Sequence, residues 1–166
     1  MKQIVILLIF ISSVLNAQYL LPQPKEVKLQ KGRFNITRNI KVRVTNPSLE
    51  LNRYTERFVR RLEYRSGIYF ESHKLQDTIS TNEIVISTNS TTEKTQIETN
   101  ESYKINITSN KVIIIAENNI GAYRALETLL QLTTTSEESA FFNHCNIIDE
   151  PRFKWRGLLI DVCRHW

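Results

Sequence analysis

Hydrophobic and polar residues alternate along several short stretches of the chain, which is the period of a strand buried on one face. Other short stretches are continuously apolar and are flanked by residues that favour turns. The segments of either kind are 27–29, 34–36, 40–44, 68–71, 83–87, 103–107, 112–116 and 145–148. Segments 103–107 and 112–116 form the clearest pair, because Ser109 and Asn110 between them favour a turn. We predict a hairpin there and a sheet that includes most of the other segments.

Two longer segments have the apolar spacing of amphipathic helices. In the first, apolar residues recur at spacings of three and four and share one face, namely Leu51, Tyr54, Phe58 and Leu62. Gly67 is the expected end of this helix. A second helix is predicted over 120–132, with an apolar stripe broad enough to lie on a sheet. These elements predict an α+β fold, in which one mostly antiparallel sheet carries both helices on the same face.

Residues 1–17 have the layout of a secretory signal peptide. Lys2 supplies the positive start, an apolar stretch follows to Leu15, and Ala17 is a small residue at the expected cleavage site. The apolar stretch is shorter than the about 20 residues that a membrane-spanning helix needs. We therefore predict cleavage of this segment, no membrane span, and export to the periplasm or the medium.

Composition adds little to this picture. Hydrophobic residues make up 41% of the 166 residues and charged residues 23%, which is typical of a globular protein. The net charge of +5 raises the possibility of nucleic acid as a partner, but much of the excess lies within the first predicted helix and fits a solvated face. We rank nucleic-acid binding last. The three histidines are far apart in sequence, so no metal or other cofactor is expected, and Cys145 and Cys163 are expected to be unpaired, buried thiols.

The last segment, residues 151–166, reads PRFKWRGLLIDVCRHW. It resembles the entry into the catalytic barrel of glycoside hydrolase family 20, whose members read P-R-F-x-W-R-G-x-x-x-D-x-S-R-H-[FY] at that point. Cys163 and Trp166 depart from this pattern. The stretch 102–132 and the opening LPQPK at 21–25 are similar to the N-terminal domain of the same family. The resemblance therefore covers nearly all of the chain after the predicted signal.

The resemblance implies a domain organisation. Residues 18–150 would form an accessory α+β domain, and residues 151–166 would begin a (β/α)8 catalytic barrel with its first strand, which includes the apolar run 158–160. Such a barrel takes about 250 residues, so the rest of it is absent from this chain. We expect an N-terminal fragment of an exported β-N-acetylhexosaminidase.

The family's reaction, as the resemblance implies it, is hydrolysis of terminal β-linked N-acetylhexosamine with retention of configuration. The acetamido oxygen of the sugar attacks the anomeric carbon, an Asp orients that group, and a neighbouring Glu is the general acid. The two acids are adjacent in an H-x-G-G-D-E motif. The glycines of this chain lie at 32, 67, 121 and 157, so the motif is absent. The chain alone is expected to be inactive, and its substrates in a complete enzyme would be glycans that carry N-acetylhexosamine.

Few candidate site residues lie in this chain. By its place in the motif, Arg156 would donate hydrogen bonds to sugar hydroxyls, or it would be an ion-paired arginine at a domain junction. Asp161 would support the site in the intact barrel, or simply end a strand. Asp149 and Glu150 are expected to belong to a linker turn, and Trp155 is expected in a core rather than as a platform on which a sugar stacks. The alternative function is a standalone exported carbohydrate-binding or interaction module, because the α+β domain is complete by about residue 148.

Overall fold

A computed structural model describes residues 20–71, 82–91 and 96–157 of the chain. Predictions for residues 1–17, 158–160, Asp161 and Cys163 lie outside these ranges. The elements in chain order are β1 (Glu26–Ile36), β2 (Lys41–Val44), α1 (Leu49–Ser66), β3 (Glu83–Thr88), β4 (Tyr103–Ile107), β5 (Lys111–Ala116), α2 (Asn119–Gln131), β6 (Thr134–Thr135) and β7 (Ala140–Asp149).

The strands form one mixed sheet in the order β1-β7-β4-β5-β3-β2, and the short β6 pairs with the start of β7. Four of these pairings are antiparallel, and β2–β3 and β3–β5 are parallel. The predicted hairpin is β4–β5, with Ile105 opposite Ile114. The β2–β3 pair is parallel because α1 connects the two strands, and parallel neighbours need such a crossover.

Both helices lie on the same face of the sheet. A single cluster of buried apolar side chains joins the inner sheet face to both helices, and its fully buried members include Phe58, Leu62, Ile105, Ile114 and Leu129. The predicted α+β fold, with a sheet and two helices, is therefore confirmed. Among the described residues, no helix has the length and apolar character needed to cross a membrane.

Each helix begins at a capping side chain. The Ser48 hydroxyl accepts a hydrogen bond from the Leu51 amide at the start of α1, and Gly67 ends that helix with a positive φ of 70°. Asn118 caps α2 by accepting from the Gly121 amide. The sequence therefore located the end of α1 correctly, because a left-handed backbone at that position favours glycine.

The predicted strands 27–29 and 34–36 are in fact one strand, β1. The expected break at Lys31 and Gly32 is instead an irregularity in the pairing with β7, where the register shifts between Leu29 and Arg33. Gly32 has a φ of 116° and lies against the ring of His144, so it permits the shift without ending the strand. The sequence interpretation was right that Gly32 disturbs the strand and wrong that it ends the strand.

The predicted strand 68–71 is wrong. Two of its backbone amides bond to groups outside any strand. The Phe70 amide donates to the Glu63 carboxylate at 2.7 Å, and the Glu71 amide donates to the Arg38 carbonyl at 2.8 Å.

Strand β7 begins well before the predicted run 145–148. Its earlier part includes Phe142, which packs against Phe34 of β1.

Gly121 allows the first turn of α2 to lie against the chain that enters β4. A Cβ atom at this position would lie 2.8 Å from the Ser102 carbonyl oxygen and 3.1 Å from the Glu101 carbonyl oxygen. Both are backbone atoms, so the contact cannot be relieved by moving a side chain.

We predict that Gly121→Ala lowers the free energy of unfolding by about 1–3 kcal/mol, because it forces α2 away from the strand. Urea denaturation measures the effect. Gly157→Ala is the matched control, since nothing lies within 4 Å of the added Cβ there, and it should stay within about 0.5 kcal/mol of wild type. Equal stability of the two variants would contradict the prediction.

A polar cluster joins the exposed sides of the two helices. The Glu127 carboxylate accepts hydrogen bonds from the Tyr54 hydroxyl at 2.7 Å and from both terminal nitrogens of Arg61, Nη2 at 2.9 Å. The Tyr54 ring stacks on Tyr123 with 4.2 Å between centroids. Burial and the Glu127 hydrogen bond raise the pKa of Tyr54 to about 12. Burial raises the pKa of Glu127, but the hydrogen bonds from Arg61 and Tyr54 outweigh it and hold that pKa below its ordinary value of 4.5.

Because folding lowers the pKa of Glu127, its charged form stabilises the fold above pH 4.5, and this contribution is lost as the pH falls through the lowered value. We predict that Glu127→Gln costs up to about 1 kcal/mol at pH 7, a small value since the Arg61 side chain is 55% exposed. The difference between Glu127→Gln and wild type should shrink as urea denaturation is carried out at pH values falling below 4.5. Glu137→Gln, at an exposed position, is the control. If the unfolding free energies of Glu127→Gln and wild type differed by the same amount at pH 3 and pH 7, the charge of Glu127 would not stabilise the fold.

Candidate functional site

The segment Asn100–Ser102, just before β4, is held rigidly by the start of α2. The Asn118 side chain donates to the Asn100 carbonyl at 2.6 Å, and the Glu117 amide donates to the Ser102 carbonyl at 3.2 Å. The Ser102 amide also donates to the Asn100 side chain at 3.0 Å. This backbone therefore presents the side chain of Glu101 in a fixed position.

Glu101 joins two arginines that are distant in sequence. Its side chain is only 7% exposed, and its carboxylate accepts a hydrogen bond from Arg124 Nε at 3.0 Å. Arg156 Nη2 lies 2.6 Å from each of its two oxygens. The structure thus brings Arg156, the predicted sugar-binding residue, into an ion-pair cluster with the sheet domain. Arg156 Nη1 also donates to the Phe153 carbonyl at 2.7 Å.

The segment that follows β7 is attached to the domain through basic residues at every second position. Arg152 donates to the Gln23 carbonyl at 3.3 Å, and Lys154 donates to Glu98 at 2.6 Å. Arg156 is the third residue of this series. These three cations bond to residues from two separate parts of the domain, Gln23 near its start and Glu98 and Glu101 before β4.

The aromatic residues of the same segment point to solvent. Phe153 is 73% exposed and Trp155 is 77% exposed. The expectation that Trp155 lies in a core is therefore wrong for the described residues.

Asp149 and Glu150 attach the end of β7 to the start of the domain. Asp149 accepts from the Lys25 amide at 3.1 Å and from the Tyr103 hydroxyl at 2.8 Å, and Glu150 pairs with the Lys25 ammonium. The Tyr103 hydroxyl is also 2.7 Å from the Thr128 hydroxyl. Burial raises the pKa of Tyr103, Thr128 lowers it, and the Asp149 carboxylate raises it again, so the phenol stays protonated. Hydrogen bonds within the domain engage both acids.

Within residues 20–71, 82–91 and 96–157, no three His, Cys, Asp or Glu side chains lie close enough together to hold a metal ion. Cys145 is a buried free thiol, and burial raises its pKa to about 11. This fits a packing role for Cys145, since the thiolate is the reactive form.

Comparison with known protein families identifies the family of this chain. Residues 17–150 match the family model described as glycosyl hydrolase family 20, domain 2. The chain belongs to glycoside hydrolase family 20. The resemblance stated from the sequence is therefore confirmed over the whole α+β domain.

Individual relatives agree with the family model. The alpha subunit of mouse β-hexosaminidase is 38% identical over 94 residues, which are 55% of this chain and 18% of the mouse protein. A β-hexosaminidase of Vibrio furnissii is 26% identical over 147 residues, which are 89% of this chain and 22% of that protein. This chain therefore spans about a fifth of the length of these relatives.

A solved structure supports the same assignment. The chitobiase of Flavobacterium johnsoniae is 36% identical and superposes with a TM-score of 0.76, covering 89% of this chain and 23% of the chitobiase chain. The likeness thus covers most of the fold described above.

Glu101 was missed by the sequence interpretation. Its arginine partners lie 23 and 55 residues away, so no local spacing revealed the cluster. The only available signal was an acidic residue two positions before β4, a strand whose outward positions are polar. Arg156 was named from the motif, but its partner could be identified only once β4, α2 and the segment after β7 were placed together.

We predict that Tyr103→Phe lowers the free energy of unfolding by about 1–2 kcal/mol, because Thr128 and Asp149 lose their shared hydroxyl partner. Urea denaturation provides the measurement. Tyr69→Phe serves as the control, since Tyr69 is 79% exposed, and it should be neutral. Comparable losses in both variants would contradict a specific role for the buried hydroxyl.

Proposed function

We propose that this chain is the N-terminal part of an exported β-N-acetylhexosaminidase. Residues 1–17 would be its signal peptide, residues 18–150 its accessory domain, and residues 151–166 the start of its (β/α)8 catalytic domain. The observation that carries the proposal is the family match over 17–150, which ends where the chain leaves β7 and enters the Trp-Arg-Gly motif. The small share of each relative that this chain spans agrees with it.

The proposed reaction removes a terminal non-reducing N-acetylhexosamine residue from a glycan with retention of configuration. The relatives named β-hexosaminidase and chitobiase support this substrate class. The acetamido oxygen of the substrate attacks the anomeric carbon, while an acid protonates the departing oxygen. The H-x-G-G-D-E motif that would supply the two acids is not among the 166 residues, and Asp149 and Glu150 do not belong to such a motif, so the proposed catalysis needs a longer protein.

Arg156 is the residue of this chain that we propose to contact the sugar. A guanidinium carries five N–H donors in a planar fork, which suits the hydroxyls of a pyranose ring. Its side chain is 39% exposed beside Glu101, so one side remains open to a ligand. Asp161 would support this site from within the barrel.

Hydrolysis of an aryl N-acetyl-β-glucosaminide tests the proposal. The complete protein that contains this chain should release the chromophore, whereas the 166-residue chain alone should remain at the blank rate. Chromophore release by the 166-residue chain, or its absence from the complete protein, would contradict the proposal.

Within the complete protein, Arg156→Lys should raise KM about tenfold or more, because lysine keeps the charge and loses the planar donors. Arg152→Lys is the matched control, since Arg152 lies in the same segment and donates to a backbone carbonyl of the domain. Equal KM values for the two variants would exclude a sugar contact by Arg156.

A further inference from the structure

We propose that Glu101 is a positioning residue of the sugar-binding site: from the accessory domain, its carboxylate orients the guanidinium of Arg156 toward the substrate. This inference rests on the proposed function and deepens it. It assigns the accessory domain a direct part in substrate binding, through an acidic residue that does not itself touch the sugar.

The hydrogen bonds of Arg156 leave part of its guanidinium available. Nη2 bonds to both oxygens of Glu101 at 2.6 Å, and Nη1 bonds to the Phe153 carbonyl at 2.7 Å. These contacts use three of the five N–H groups of an arginine. The remaining two, on Nη1 and Nε, have no hydrogen-bond partner among the described residues. A sugar hydroxyl can therefore bind while the contact with Glu101 stays intact.

Glu101 is suited to hold this arginine because its own position is fixed. The backbone at Asn100 and Ser102 is bonded to Asn118 and Glu117 at the start of α2. Gly121 lies so close that even one methyl group would displace the segment. Glu101 thus fixes the position of Arg156, a residue beyond β7, relative to the sheet and α2. Such rigidity matters because small displacements of a substrate-contacting group weaken binding and catalysis.

The charges of the cluster also favour this role. Arg124 and Arg156 share one carboxylate, so the three side chains together carry a net charge of +1. Without the carboxylate, two guanidinium groups would face each other in a partly buried space. Their repulsion would displace the segment of Arg156, whose residues 152–157 are exposed, sooner than α2, which is packed into the core through its buried residues. Loss of the charge should therefore displace Arg156 without unfolding the sheet.

Kinetics of the complete protein test the inference. Glu101→Gln keeps the shape and removes the charge, and it should raise KM for an aryl N-acetyl-β-glucosaminide about tenfold while kcat changes less than about twofold. Glu101→Asp keeps the charge on a shorter side chain and should recover part of the loss. The matched control is Glu98→Gln. Glu98 is 76% exposed and pairs with Lys154, which lies in the same segment as Arg156, so this substitution removes a neighbouring ion pair and should leave KM unchanged.

The outcomes separate this inference from the proposed function. An active protein whose KM is the same in wild type and Glu101→Gln would overturn the positioning role and leave the proposed function standing. A fall in kcat and thermal midpoint without a rise in KM would also overturn it, because that result indicates a structural role alone. If the wild-type complete protein does not hydrolyse the substrate, the proposed function fails and the positioning role fails with it.

A second measurement examines the ion pair without enzyme activity. In the 166-residue chain, trypsin should cleave after Arg156 several times faster in Glu101→Gln than in wild type, as followed by mass spectrometry, because the guanidinium is no longer held against the domain. Glu98→Gln should accelerate cleavage after Lys154 and not after Arg156. Equal cleavage rates after Arg156 in wild type and Glu101→Gln would overturn the contact on which the inference depends.

Discussion

The burial of one face of the sheet beneath two helices is the constraint on which the rest of this structure depends. Side chains such as Ile84, Ile105, Ile114, Leu62 and Leu129 are almost completely removed from water within one cluster. Each contributes about 1.5–3 kcal/mol relative to an exposed position. The helices must therefore lie flat on the sheet, and this packing brings the start of α2 against the chain that enters β4. The fixed geometry around Glu101 is a consequence of core packing.

Much of the fold could be predicted because its signals are local. The alternation in β4 and β5, the apolar spacing of α1 and the glycine at its end each depend on a few neighbouring residues. The errors arose where distant residues decided the outcome. Gly32 does not end β1 because β7 accommodates the shifted register, and residues 68–71 form no strand because Glu63 and Arg38 take their backbone amides.

In the candidate site, too, the feature with a local sequence signal could be predicted and the feature that depends on distant residues could not. A motif identified Arg156, since its spacing to neighbouring residues is fixed, but no motif identified the group that holds it. That group is a carboxylate on the sheet domain, placed by a helix cap and by a close backbone approach. Sequence reasoning also left two roles for Arg156 as alternatives, sugar contact and ion pair at a junction. Arg156 has N–H groups without a hydrogen-bond partner among residues 20–71, 82–91 and 96–157, so one guanidinium could serve both proposed roles.

The pairing of Glu26 with Ile148, together with the contacts of Lys25 with Asp149 and Glu150, brings the start of β1 and the end of β7 side by side. The chain thus enters and leaves the sheet at nearly the same point in space. Such a unit can be joined to a host protein, or exchanged between hosts, with little rearrangement of either. In this domain the shared entry and exit point lies within a few residues of Arg156, the proposed sugar contact. Moving the domain to another host in a way that disturbed the contacts at this point would therefore also disturb the proposed binding of the sugar.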